Sequence, residues 1–233
     1  ASGTGAITGA ATVGGTLGVT GTATLSGNAT IGTDSGDTRF SLNSANQYTM
    51  VIKKAGDIAG QIGGGGADVL RFSNAAGATI MEMNAGQITM PLQPAFLVTP
   101  NAAQNNIAVG SQVNIVFGNE VYDVGSNFAS NAFTAPVTGK YQLNGRVRLG
   151  AVHQPSAYYT MRITTSNRVY EQIFDSNENS NGNLDYHPFE ISVLADMDAS
   201  DTAKIQIFQN SGTQETDIEA GSNNTHFSGF LAC

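Results

Sequence analysis

Clustered carboxylates and three histidines are the side chains of this 233-residue sequence that could do chemistry. The histidines have neither the spacing of metal ligands nor cysteine partners. Glu171, Asp175 and Glu178 could pair as carboxylates for glycan cleavage, but solvated loop charges are the preferred interpretation. No Gly-x-Ser-x-Gly occurs, so a hydrolase nucleophile is not indicated. We therefore predict that the protein is not an enzyme, with no catalytic residue, no metal and no cofactor.

A second acidic cluster lies in the segment LADMDASD. Asp196, Asp198 and Asp201 could bind calcium, but their spacing is not that of an EF-hand loop, and no glycine occupies the sharp turn. A plain acidic turn is the preferred interpretation.

Two polar loops are better candidates for binding than for catalysis, because loops carry function on a rigid β scaffold. Residues 175–185 (DSNENSNGNLD) form the longest polar loop, and residues 151–159 (AVHQPSAYY) add histidine and tyrosine. Aromatic rings beside Asn and Asp are typical of sugar recognition. The alternative for Tyr158 and Tyr159 is a strand in which one ring packs inward and the other faces out. The predicted receptor-binding residues are His153, Tyr158, Tyr159, Asp175, Asn177, Asn179, Asn181, Asn183, Asp185 and Tyr186.

The elements that must position these loops are short strands. Apolar and polar residues alternate in several of them, and no helical period occurs between residues 95 and 233. The pattern predicts an all-β sandwich or jelly roll. The predicted strands are Ala95–Val98, Val113–Phe117, Gly139–Leu149, Ala157–Thr165, Val169–Phe174, Phe189–Leu194, Ala203–Gln209 and His226–Leu231.

Residues 34–91 read as short strands between glycines, and Pro91 and Pro94 mark the boundary that follows. The region has little apolar mass of its own. We therefore predict an intertwined shaft or neck whose strands are woven between subunits.

Residues 1–33 repeat every six residues, with one aliphatic residue per repeat. One possible architecture is a single-chain left-handed β-helix, as in hexapeptide-repeat acyltransferases, but five hexads make fewer than two coils and contain no histidine. The preferred architecture is a trimeric shaft in which the aliphatic ladders of three chains meet on the axis. The predicted shaft core is Ile7, Val13, Val19, Leu25 and Ile31.

Charge and composition exclude some classes of binding partner. The net charge is −8, and residues 92–233 hold six Lys and Arg against thirteen Asp and Glu. An acidic surface argues against nucleic acid as a partner. No run of residues is apolar enough to cross a membrane. The single cysteine, Cys233, is either an incidental thiol or a bridge between subunits.

The stretch VNIVFGNEVYDVGSNFASNAFTAPVTGKYQL resembles the C1q-like (C1q/TNF) jelly-roll domain, as does the closing THFSGFL. The resemblance covers about residues 94–233, although the gap from Phe128 to Phe133 is shorter than usual and no collagen repeat precedes the domain. It implies a compact homotrimer. The core that it implies is Phe117, Phe128, Phe133, Gly139, Tyr141, Phe227, Gly229 and Phe230.

Residues 1–91 are similar, partly in composition, to bacteriophage tail fibres and receptor-binding proteins. These resemblances imply three parts: a hexad shaft at 1–33, a neck at 34–91 and a C1q-like head at 92–233. The expected function is attachment of a virion to a host-surface receptor, preferably a glycan, with other tail proteins as partners on the N-terminal side and an extracellular location on the virion. The alternative is a non-viral C1q/TNF-like adhesin on or secreted from a bacterium.

Overall fold

The computed structural model of the chain describes residues 18–20, 48–64 and 69–233. The chain divides into two compact units, residues 1–45 and 46–233. Four of the five predicted shaft-core residues, Ile7, Val13, Leu25 and Ile31, lie outside the described residues. Val19 is described, and 53% of its surface is exposed in the single chain. The trimeric shaft therefore stays a prediction.

A five-stranded antiparallel sheet, the neck sheet, opens the second unit. Its strands pair in chain order. They are β1 (Tyr48–Lys54), β2 (Asp57–Gly64), β3 (Val69–Ser73), β4 (Thr79–Asn84) and β5 (Gln87–Thr89).

Tight turns explain why these strands pair with their neighbours in the chain. Ala55 and Gly56 have φ of 53° and 94°, and Ala85 and Gly86 have φ of 46° and 81°. Two consecutive left-handed residues form the hairpin turn whose twist matches that of the flanking strands. The described strands therefore pair within one chain, and the weaving of strands between subunits stays a prediction.

The head is a sandwich of two antiparallel sheets. Sheet I has the strand order β14-β11-β17-β6-β8, with β16 beside β11, and sheet II has the order β13-β12-β15-β10-β9, with β7 beside β15. From β10 onward the chain crosses repeatedly between the sheets, as in a jelly roll. The strands are β6 (Ala95–Thr99), β7 (Gln112–Asn114), β8 (Asn119–Val124), β9 (Phe128–Ala129), β10 (Ala132–Thr134), β11 (Gly139–Val152), β12 (Tyr158–Thr165), β13 (Val169–Phe174), β14 (Leu184–Met197), β15 (Thr202–Asn210), β16 (Asp217–Ile218) and β17 (His226–Leu231).

These strands confirm the all-β prediction for the described residues. The predicted limits of β13 and β17 agree with the structure, whereas β14 begins five residues earlier than predicted and β8 was missed. One short helix, α1 (Ser176–Asn179), lies within the predicted loop 175–185. No helix among the described residues is long and apolar enough to span a membrane.

A cluster of phenylalanines forms the centre of the core. The ring of Phe96 stacks on Phe133 with centroids 4.6 Å apart and meets Phe227 edge-on at 4.9 Å. Phe117, Phe128 and Tyr141 are also buried, and the Tyr141 hydroxyl donates to the carbonyl of Val137 at 2.8 Å.

Three residues of the predicted core, Gly229, Gly139 and Phe230, are buried to different extents. Gly229 is buried, and it leaves no room for a side chain, since a Cβ there would lie 2.9 Å from both the Gln142 carbonyl oxygen and the Phe96 ring. Gly139 is half-buried. The assignment of Phe230 to the core is wrong, because 46% of its surface is exposed on the outer face of sheet I.

The head has a base and an apex. At the base, Val137, Leu231 and Cys233 line a groove together with Ile80 and Met90 from the neck side. Strand β11 begins at this end, where Gly139 contacts the Cys233 carbonyl, and it runs to Val152 at the opposite end. The apex therefore lies at the end of the sandwich away from the neck sheet.

Candidate functional site

Three loops meet at the apex of the head. They are residues 153–157 after β11, 175–183 after β13 and 211–216 after β15. Antiparallel pairing brings the ends of these strands to one end of the sandwich, although 17 or more residues of sequence separate the loops. The backbone N–H of Gln154 donates to Asn183 Oδ1 at 2.9 Å, and Asn183 Nδ2 donates to Glu215 Oε1 at 3.0 Å. These hydrogen bonds tie the three loops together.

The Tyr159 hydroxyl is the centre of a buried hydrogen-bond network beneath these loops. It accepts from the backbone N–H of His153 at 3.0 Å, and it lies 2.8 Å from Thr216 Oγ1 and 3.1 Å from Ser156 Oγ. The Gln209 amide donates to Ser156 Oγ and to the carbonyls of Ser211 and Thr213. Tyr159, Ser156, Thr216 and Gln209 are all fully buried. A buried network in which most groups are paired rigidifies the structure around it.

This burial corrects one predicted binding residue. Tyr159 is 0% exposed, so its side chain supports the loops and cannot contact a receptor on the surface. Tyr158 points the other way, and its ring is half-buried against Phe208 on the outer face of sheet II, with centroids 6.0 Å apart. The two tyrosines therefore lie in a strand in which one ring packs inward and the other faces out, which was the alternative interpretation of this pair.

His153 links two of the apex loops. Its Nδ1 accepts from the backbone N–H of Thr213 at 3.2 Å, which leaves the ring proton of the neutral form on Nε2. Nε2 lies 3.9 Å from Glu215 Oε1. Gly212 has φ of +85°, and a Cβ there would collide with the imidazole. The close approach of this glycine is what lets the histidine lie over the loop.

The loop 175–183 is ordered by its own polar groups. Asp175 caps α1 by accepting from the backbone N–H of Glu178 at 3.1 Å. Ser176 is fully buried, and its hydroxyl donates to the Ser156 carbonyl at 2.6 Å. The Gln154 amide reaches Asn177 Oδ1 at 3.2 Å. The acidic and amide side chains of this loop are therefore presented from a fixed backbone.

The outward-facing side chains at the apex are polar. Asn177, Asn179, Asn181, Asn183 and Asp185 are exposed.

Tyr186 follows these residues in the chain, and 57% of its surface is exposed. The Arg148 guanidinium lies 4.5 Å from the centre of its ring, and Arg148 Nη2 lies 3.7 Å from Glu219. A cation over an aromatic face holds the ring in place. Amides, carboxylates and a fixed exposed ring can together hydrogen-bond and pack against a neutral polyhydroxylated ligand.

The other clusters singled out in the sequence have structural partners. Arg168 forms two hydrogen bonds to Asp196 at 3.0 and 2.9 Å, and this contact lowers the pKa of Asp196 to about 2. Glu171 pairs with Arg162 on sheet II. His187 stacks on Phe174, and burial lowers its pKa. His226 faces outward on β17, with Nδ1 3.1 Å from the Ser222 carbonyl. The described residues contain no group of three His, Cys, Asp or Glu side chains placed to hold a metal.

Several residues that build the apex were not found from the sequence. Gln154, Arg148, Gln209 and Glu215 carry no motif, and each acts through a partner on another loop or strand. Only Gln154 had a signal, since it lies within the aromatic loop 151–159.

The chain was compared with known proteins. No protein-family model matches it, and no curated protein matches its sequence. Among solved structures it is similar to the globular domain of the zebrafish complement 1qA protein, with 16% identity and a TM-score of 0.45. It is also similar to murine APRIL at pH 8.5, with 10% identity and a TM-score of 0.43. Each match covers 60% of this chain and 98% of the other chain.

Proposed function

We propose that the chain is a homotrimeric attachment protein of the tail-fibre type, whose apex binds a glycan receptor on a host cell surface. The observation that carries this proposal is the apex itself. Exposed amides, Asp185 and Tyr186 project from residues 177–186, at the end of the head away from the neck sheet. Hydrogen bonds of Ser176 and Asn183 tie this segment to the two loops that the Tyr159 network holds. A preorganised polar surface loses little conformational entropy on binding.

The acidic charge of the head favours a neutral partner. Asp175, Glu178, Asp185, Glu215 and Asp217 all lie at the apex, so an anionic receptor would be repelled.

The outer face of sheet I supports assembly of three copies. Leu194, Gln142, Phe230, Ala95 and Val124 form one row across the sheet. Phe230 and Leu194 are 46% and 54% exposed in the single chain. Apolar side chains gathered on one sheet face mark an interaction surface rather than a solvated one.

The next rows of the same face are polar and mutually bonded. Gln142 Nε2 donates to Ser192 Oγ at 2.9 Å, and Ser192 Oγ donates to Asn144 Oδ1 at 2.8 Å. Arg146 pairs with Glu190 at 2.7 Å, while its buried Nε has no hydrogen-bond partner. A buried donor of this kind is costly when it is left unpaired.

Three identical apices give the proposed function its strength. Weak binding of one sugar becomes tight when three sites on one rigid trimer engage a surface bearing many copies of the ligand. The hexad repeat upstream supplies the expected connection to other tail proteins and so to the outside of a virion.

A glycan array probed with the full chain tests this proposal. We expect binding to a restricted set of neutral glycans. Asp185→Asn at the apex should weaken that binding about 10–100-fold, since hydrogen bonds to charged groups contribute about 1.5–3 kcal/mol. Asp198→Asn is the matched control, because Asp198 is also an exposed aspartate but lies at the base. Equal losses in both variants, or no glycan bound by a trimeric chain, would refute recognition at the apex.

A further inference from the structure

The neck sheet has one face made almost entirely of apolar side chains. Met50, Ile62, Phe72 and Met81 lie opposite one another across β1 to β4, and Leu70, Met83 and Ile88 form the next row across β3 to β5. Side chains directly opposite in a sheet point to the same face. We call this surface the neck apolar face, and its eight large side chains are Met50, Ile52, Ile62, Leu70, Phe72, Met81, Met83 and Ile88.

The opposite face of the same sheet carries polar side chains at its centre, with Val51 beside them. Gln61 and Ser73 lie opposite each other, and Arg71 lies opposite Glu82 in the next row, with Arg71 Nε 2.5 Å from the Glu82 carboxylate. Along each strand the apolar and the polar side chains are one residue apart, so they point to opposite faces of the sheet.

In the single chain, half of the eight side chains of the neck apolar face are exposed, whereas the polar pair at the centre of the other face is buried. Gln61 and Ser73 are 8% and 4% exposed, whereas Met50, Ile52 and Ile88 are 45%, 45% and 64% exposed. Monomeric proteins rarely leave a contiguous apolar surface of this kind in water. A sheet with an apolar face must pack that face against another layer.

We infer that the neck apolar face packs against the same face of two further copies of this chain, so that three neck sheets close a triangular prism. The inference rests on the proposed homotrimer and deepens it. None of the eight side chains is charged, so identical faces meet without repulsion and without burying an unpaired ion. The eight side chains offer no hydrogen-bonding group to a polar ligand, and Lys54 at the end of β1 lies opposite Asp57.

The apolar surface continues from the neck to the head. Met90 and Leu92 follow β5 with exposures of 52% and 53%, and they line the base groove of about 570 Å³ together with Val124. Val124 is also the end of the apolar row on sheet I. Met90, Leu92 and Val124 therefore form an apolar link between the end of the neck sheet and the apolar row on sheet I.

The area of this surface suits a stable assembly. Five strands about 4.8 Å apart and about six residues long cover roughly 450–500 Å². That is more than half of the roughly 800 Å² that a standard interface buries on each partner. The neck face alone falls short of that area, so we assign it and the apolar row on sheet I to the same partner.

Two pairs of adjacent residues give a matched test. Met50 and Val51 are each 45% exposed and point to opposite faces of β1, and Ile88 and Thr89 are both exposed on opposite faces of β5. In a single chain, Met50→Glu/Ile88→Glu and Val51→Glu/Thr89→Glu should therefore be equally tolerated. In the prism, only the first double variant places carboxylates in a closed apolar interior.

The measurement is light scattering of the full chain combined with amide hydrogen exchange of residues 48–89. We expect a trimeric wild type, and we expect the M50E/I88E variant either to dissociate or to exchange at least about tenfold faster in the neck. The V51E/T89E variant should match the wild type.

A trimer whose neck exchange is the same in both variants would overturn the prism and leave the proposed attachment function standing. A trimer with the predicted neck behaviour that binds no glycan would overturn the function and leave the prism standing. A monomeric wild type, including one that binds neutral lipid vesicles through the exposed neck, would overturn the prism and the proposed homotrimer together.

Discussion

Removing one hydroxyl from the core tests whether the apex is held by the Tyr159 network. The change is Tyr159→Phe, which keeps the buried ring and deletes only the oxygen. The oxygen accepts from the His153 N–H at 3.0 Å and lies within hydrogen-bond distance of Thr216 and Ser156. Thr216 keeps the Ala151 carbonyl and Ser156 keeps Gln209, so the His153 N–H is the group left unpaired.

The expected loss of stability follows from the single unpaired N–H of His153. A buried polar group without a partner costs about 1–3 kcal/mol. For a chain of this size, 1 kcal/mol shifts the melting temperature by about 2–4 °C, so Tyr159→Phe should lower the Tm of the head by roughly 2–12 °C. Residues 153–157 and 211–216 should also exchange their amide hydrogens faster, because both loops lose a common anchor.

The assay is thermal unfolding followed by near-UV circular dichroism, with light scattering to confirm an unchanged mass. Tyr158→Phe is the matched control, because the neighbouring ring lies half-buried on the outer face of sheet II against Phe208. That variant should melt within about 1 °C of the wild type, as surface substitutions usually do. If the two variants melt at the same temperature, the network does not hold the apex and the argument for a preorganised site fails.

Three further predictions concern pH and packing. The Arg168 hydrogen bonds lower the pKa of Asp196 to about 2 from its ordinary value of 3.8. The stabilising effect of this ion pair is therefore complete above pH 3.8 and is lost as the pH falls toward 2, and Asp196→Asn should remove that part of the acid unfolding curve. Burial lowers the pKa of His187 below 6.5, so the unfolded chain binds a proton at a higher pH than the folded chain does, and the fold should lose stability as the pH falls below 6.5. His187→Phe keeps a ring on Phe174 and should make the stability measured by chemical denaturation less dependent on pH in this range. Gly229→Ala should destabilise the head by about 1–3 kcal/mol in urea unfolding, since its Cβ would meet the backbone oxygen of Gln142 at 2.9 Å, whereas Gly182→Ala in open space should change little.

The strands of the head followed from alternation in the sequence. The pattern of β17 places Phe227 and Gly229 on one face, and the same alternation places Phe230 on the other. The assignment of Phe230 to the core took aromatic character as a sign of burial, although the period of two already argued against it. Strand β8 was missed because its residues, NEVYDV, mix charged and apolar side chains and all six are exposed or half-buried.

The apex could be predicted only in part. The loops 151–159 and 175–185 were recognisable from their polar and aromatic composition, and both lie at the apex. Gln154, Asn183 and Glu215 form one hydrogen-bonded chain across 62 residues of sequence. No local pattern encodes such a chain, because each member is an ordinary surface residue until the strands bring it to its partner.

The sequence by itself determined the chemistry of each strand face, since side chains alternate with the pleat whatever the strand packs against. The alternation puts Tyr141, Leu143 and Val147 on one face of β11, and it offered opposite directions as one of two interpretations of Tyr158 and Tyr159. Only the tertiary structure decided which faces are covered. It buried Tyr159 under three loops, and it left Met50 and Ile88 exposed on a sheet whose buried residues include the polar Gln61 and Ser73. Coverage depends on which segments distant in the chain come together, and that is a property of the whole topology rather than of any one strand.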